Sequence, residues 1–126
     1  MTLTKQHVRD VVDIYIRAWT KQDPDLILSI FTEDATYHER VLDEPIATHE
    51  GIRDYWQSKV VESQAAIECE LLTLYVDGET AIVEWEARFD DLARGIRKRM
   101  REVALLEFDG ALIKSLREYW ASETIS

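Results

Sequence analysis

Val8, Val11, Val12, Tyr15 and Trp19 recur at intervals of three and four residues, which puts them on one face of a helix over residues 4–22. Asp23 and Pro24 then supply an N-cap and a proline at the first helical position. Leu26, Ile27, Ile30 and Phe31 keep a helical spacing, so a short second helix is predicted. Residues 35–42 alternate, carry aromatic and β-branched side chains, and run into Asp43, Glu44 and Pro45, the pattern of a short strand closed by a loop. A third helix is expected over 48–62, with Thr48 as its cap, Glu50 in its first turn, and Ile52, Tyr55, Trp56 and Val60 along one face.

The second half changes character. Residues 66–76, 80–90, 96–108 and 111–120 are long β-like runs and predict four consecutive antiparallel strands. Asp77-Gly78 and Asp109-Gly110 suit tight hairpins, because glycine accepts a positive φ without a Cβ clash. Three helices ahead of a curled, mainly antiparallel sheet predict a single α+β domain over residues 1–126, with a pocket between helices and sheet. Alternation assigns the faces: Ala81, Val83, Trp85, Ala87 and Phe89 point inward from one strand, and Met100, Ala104, Leu106 and Phe108 from the next. Glu102 lies among the second set, an acid on a mostly apolar face. Arg97, Arg99 and Arg101 lie on the outer face and are placed to pair with Glu84, Glu86 and Asp90. Val103 and Leu105 make that outer face partly apolar, so a second copy of the chain is expected to cover it.

Composition narrows the partners. The chain has 126 residues, 46 % apolar and 32 % charged, with four glycines and two prolines, which excludes a disordered or low-complexity chain. Its net charge of −10 repels nucleic acid and anionic membrane surfaces. The single Cys69 allows neither an intramolecular disulfide nor a CxxC zinc site, and the N-terminal residues lack a secretion signal, so a soluble cytoplasmic protein is expected. His7, His38 and His49 fall on separate elements without metal-ligand spacing, and no metal or other cofactor is expected.

Two inward acids stand out, because a buried carboxylate is costly unless it is paired or protonated. They are Glu102 and Glu118, which either serve a pocket or are neutralised by arginines such as Arg40, Arg53 or Arg117. Trp19, Phe31, Tyr37, Trp56, Trp85 and Trp120, with Tyr15, are candidates to line that pocket, or form plain core. His38 is a candidate proton shuttle, although neighbours on a strand point to opposite faces.

The order of elements and the strings AWTKQDPDLILSIFTEDATYHE, EPIATHEGIRDYW, DGETAIVEWEARFDD and LEFDGALIKSLREYW make the chain resemble the SnoaL-like branch of the nuclear transport factor 2-like superfamily over nearly its whole length. The resemblance implies a cone of three N-terminal helices packed into a curved mixed sheet, in a superfamily that spans ketosteroid isomerases, polyketide cyclases, epoxide hydrolases and transport factors. EDATYHERVLDEP resembles the ketosteroid isomerase segment that carries the general base, which implies Glu39 for that role and Tyr15 for the oxyanion donor. Ala104 stands where that enzyme has its second donor. Glu118 resembles one carboxylate of the epoxide hydrolase relay, whose other two positions hold Trp85 and Ala87 here. The expected function is a cofactor-free isomerase, cyclase or hydrolase acting on a small apolar carbonyl or cyclic metabolite, with Glu39 as base. The alternative is a ligand-binding or dimeric assembly module without chemistry.

Overall fold

The structure is a computed structural model that describes residues 2–126. Two α-helices precede and flank one six-stranded sheet. Helix α1 spans Lys5–Thr20; the Thr4 side chain caps it by accepting from the His7 N–H at 3.1 Å, and Val8, Val11, Val12, Tyr15, Ala18 and Trp19 form its buried face. The strands are β1 (Phe31–His38), β2 (Ile46–Ala47), β3 (Gln64–Asp77), β4 (Thr80–Asp91), β5 (Ile96–Asp109) and β6 (Leu112–Thr124). They lie in the order β2-β1-β6-β5-β4-β3; among the described residues only β1 and β6 pair in parallel and every other pair is antiparallel, so the sheet is mixed.

Four expectations are corrected. The second helix is a 3₁₀ turn at Leu26–Ile30, leaving two α-helices rather than three. Asp23 does organise that turn, its Oδ1 accepting from the Asp25 and Leu26 N–H groups, but the chain enters β1 at Phe31 before a helical turn can propagate. The first strand therefore runs over Phe31–His38 and ends four residues earlier than its alternation suggested. The third helix is regular over Thr48–Trp56 (α2) and widens into a π turn at Gln57–Val61. The two hairpin connections are also shifted by one residue: Asp77 pairs with Thr80 and Asp109 with Leu112. Gly78 and Gly110, each at φ 61°, thus occupy the first of the two connecting positions.

The inward faces of β4 and β5 are those that alternation assigned. Ala81, Val83, Trp85, Ala87 and Phe89 are buried, as are Ala104, Leu106 and Phe108. Helix α1 lies across β3, and α2 packs on β1, where His49 Nε2 meets the Phe31 carbonyl at 2.9 Å. The outer face carries the expected cross-strand ion pairs, Arg101 with Glu84 and Glu86 and Arg97 with Asp90. It also exposes Tyr75, Ile82 and Tyr119. Among the described residues no helix is long and apolar enough to cross a membrane.

Candidate functional site

The concave side of the sheet and the two helices enclose a cavity with about 40 Å³ of space open to water. That is room for a few water molecules. Its inner wall is a cluster of hydroxyl and carboxyl groups drawn from four elements. Tyr15 comes from α1, Tyr37 from β1, Glu102 from β5 and Glu118 from β6. The antiparallel register sets Ala104 opposite Glu118 and Glu102 opposite Trp120, so the two glutamates are diagonal neighbours on one face. The parallel pairing of β1 with β6 sets Tyr37 beside Leu116, which brings its phenol to the same spot.

Both tyrosine hydroxyls converge on one carboxylate oxygen. Tyr37 donates to Glu118 Oε1 at 2.6 Å and Tyr15 lies 3.1 Å from the same atom, while the two hydroxyls are 2.7 Å apart. Each phenol has one proton to give, so both protons are committed within this cluster. Rings brace the arrangement: Tyr15 meets Trp85 at 4.7 Å and Trp56 edge-on at 5.4 Å, and Tyr37 meets Tyr55 at 5.4 Å.

Electrostatics set the protonation states. Burial, reinforced by the negative charge of Glu118, holds the Glu102 carboxyl well above the ordinary carboxylate range. Burial also raises Glu118, to about 7, against the pull of the two tyrosine hydrogen bonds, and the charge of Glu39 adds to the rise. At neutral pH the pair thus holds a proton, which the charge of Glu118 keeps on Glu102. Burial in turn keeps the Tyr15 and Tyr37 phenols protonated far into alkali. One oxygen is left over. Glu102 Oε2 is buried and has no hydrogen-bond partner; the Trp85 indole N–H favours the ionised form of Glu102 but lies outside good hydrogen-bond geometry, and it too is unpartnered.

Removing the shorter of the two phenolic bonds tests this balance. In Tyr37→Phe, Glu118 loses a donor that favours its charged form, so its titration is expected to move upward from about 7, followed by carboxyl-carbon NMR.

Glu39 lies just past β1 and also lines the cavity, paired with Arg40 at 3.4 Å. Arg40 in turn sits over the Trp120 ring at 5.0 Å, and the Trp120 indole donates to the Glu39 carbonyl at 3.2 Å. Trp19, Tyr37, Trp56, Trp120, Glu102 and Glu118 line the cavity with Tyr15 and Glu39. His38, Phe31 and Trp85 do not. Alternation turns His38 to the other face from Tyr37, Phe31 packs behind Tyr37 at 5.9 Å, and Trp85 lies fully buried beneath Tyr15. The arginines offered as partners for the buried acids are engaged elsewhere: Arg40 with Glu39, Arg53 with Asp25, Arg117 with Glu107.

Sequence reasoning missed Tyr55, Lys59, Val60, Gln64 and Met100 as lining residues. Gln64 accepts from the Trp19 indole at 2.8 Å and its carbonyl accepts from Gln22, tying the end of α1 to the entry of β3. A glutamine opening a long β run, within reach of a helix-terminal tryptophan, was the available signal. Among the described residues no three His, Cys, Asp or Glu side chains are arranged to hold a metal ion.

A small α+β cone with an acid-rich inner cavity defines a pocket-protein class, and the sequence places the chain within it. Residues 12–116 match the model of the SnoaL-like domain, and the chain belongs to that family. The fold is similar to the epoxide hydrolase/cyclase-like enzyme SalBIII, described for its role in pyran ring formation in the polyether salinomycin. That match has a TM-score of 0.82 and 23 % identity, covering 96 % of this chain and 98 % of the other. It is similar also to a hypothetical protein of ketosteroid isomerase-like fold from Catenulispora acidiphila DSM 44928, solved in complex with trimethylamine, with a TM-score of 0.76 and 20 % identity over 87 % of this chain and 84 % of that one. No curated protein matches the sequence.

Proposed function

We propose that the protein is a cofactor-free acid–base enzyme that closes or opens a carbon–oxygen ring in a small metabolite. The observation that carries this reading is the Glu102–Glu118 pair, two buried carboxyls that line the inner cavity and hold a proton at neutral pH, one Glu102 oxygen being buried without a hydrogen-bond partner. Opening a strained C–O bond needs a proton for the departing oxygen, and activating a hydroxyl needs a base; carboxyl groups kept in different protonation states supply both. Glu39 takes the proton of the attacking hydroxyl, a new C–O bond forms as the old one breaks, and Glu102 gives its proton to the departing oxygen. Transfer of the proton from Glu39 back to the pair restores the starting state. With an internal hydroxyl the substrate is cyclised; with water it is hydrolysed. The likeness to an epoxide hydrolase/cyclase-like enzyme supports the reading at the level of fold.

Enolisation by Glu39 with Tyr15 as oxyanion donor is a weaker fit, since the Tyr15 and Tyr37 protons are already taken up around Glu118. A binding or assembly module without chemistry remains the second reading, favoured by the small inner cavity. The exposed Tyr75, Ile82 and Tyr119 suit the outer sheet face to a second copy of the chain. Cys69, its thiol pushed up to about 12 by burial, needs no oxidising compartment, in keeping with a cytoplasmic setting.

The deciding experiment incubates the protein with hydroxy-epoxides of graded chain length and identifies products by mass spectrometry and NMR. Cyclic ether or diol formed faster than in buffer is the expected result. No turnover with any of them, together with saturable binding, leaves the non-catalytic module.

A further inference from the structure

We infer that the substrate carries an anionic group at the end remote from the reacting carbon, held at a basic rim with Lys59 as its main contact. The inference rests on the acid–base reading of the inner cavity and adds the substrate class to it. Outside that cavity lies a wider chamber of about 430 Å³, and Glu39, Lys59, Gln64, Met100 and Trp120 line both spaces. The chamber is lined by four cations, Arg40, Lys59, Arg94 and Lys98, against two carboxylates, Glu39 and Asp91. This local excess of positive charge sits on a chain whose net charge is −10.

The pairing within the chamber leaves charge unspent. Arg40 is held by Glu39, and Arg94 and Lys98 share the single Asp91 at 4.0 and 3.4 Å. Lys59 has no ion-pair partner among the described residues. The contrast with the outer sheet face is direct, since Arg97, Arg99 and Arg101 there each have a carboxylate of their own. An unpaired cation at the junction of two chambers is open to a negative charge on a ligand that occupies them. Lys59 sits within the π turn at Gln57–Val61, and wide turns of this kind recur at functional positions. An anion at the rim leaves the rest of the molecule to run past Trp120 and Met100 towards Glu102 and Glu118.

The test uses three probes of one chain length, octanoate, octyl phosphate and octanol, with binding to the full chain followed by tryptophan fluorescence at low ionic strength. At least one anion is expected to bind about ten-fold more tightly than octanol, as one charge-assisted contact supplies. The advantage is expected to shrink with added salt and to vanish in Lys59→Glu. The anion with the larger advantage tells a free carboxylic acid from a phosphate-bearing substrate. Lys59 is exposed, so the substitution leaves the fold intact. Octanol binding as tightly as both anions, an advantage unchanged in Lys59→Glu, or no binding of any probe overturns the inference. Failure of the acid–base reading is separate: Glu102→Gln would then leave hydroxy-epoxide turnover untouched, while the Lys59-dependent preference for anions persists.

Discussion

Glu102→Gln is expected to lower turnover of a hydroxy-epoxide by a factor of about 10²–10⁴, the range in which a positioned general acid contributes, with substrate affinity nearly unchanged. Glutamine keeps the shape of the side chain and leaves Glu118 with its two phenolic donors, so the fold of the cavity wall is preserved. What disappears is the transferable proton. In the native protein, burial and the charge of Glu118 keep that proton on Glu102 at neutral pH. The wild-type rate is accordingly expected to persist as pH rises past about 7, where Glu118 ionises and its charge holds the proton on Glu102, and to fall only at higher pH, because an acid catalyst is lost on deprotonation. Steady-state kinetics of wild type and variant from acid to mild alkali check both points. A variant that retains its rate, or a wild-type rate that is lost as Glu118 ionises near pH 7, would remove Glu102 from the acid role.

Much of this wall was legible in the chain, and the reasons are physical. Period-two alternation through β4 and β5 is long and free of proline, so the inward set around Trp85 and the intruding Glu102 follows from spacing alone. Glu118 is legible for the same reason, as an acid among inward positions of β6. That the two acids lean on tyrosines and not on arginines was not legible. Tyr37 and Glu118 are 81 residues apart, and only the parallel seam between β1 and β6 brings them together. The opening segments misled because Ile27, Ile30 and Phe31 fit helix spacing, while five residues of 3₁₀ turn and a strand entry fit it equally well. The two-residue β2 is too short to carry a period. Lys59 was read as part of a regular helix, whereas it lies in a π turn and lines the cavity.

The same pair of carboxyls makes the fold more stable in mild acid than in mild alkali, against the usual behaviour of acidic proteins whose carboxylates are ion-paired. Glu118 holds its proton to about pH 7 in the folded chain, against an ordinary value of 4.5. Between those two values the folded state binds more protons than the unfolded one, so stability is fully present below pH 4.5 and is lost as pH rises through 7. A difference of this size corresponds to something on the order of 3 kcal/mol. Glu86, whose hydrogen bond to Arg101 holds its carboxyl below the ordinary range, gives the opposite slope, but at pH values below 4.5, outside this window. Urea denaturation at pH 5 and pH 8 is expected to show the lower midpoint at pH 8 for the wild type. Glu118→Gln, which keeps an acceptor for Tyr37 and cannot ionise, is expected to reduce that difference to the part that buried Glu102 supplies and to exceed the wild type in stability at pH 8. If the variant kept the full slope, the proton retained by the fold would have to sit elsewhere, and the carboxyl pair would lose its claim to be the acid of the site.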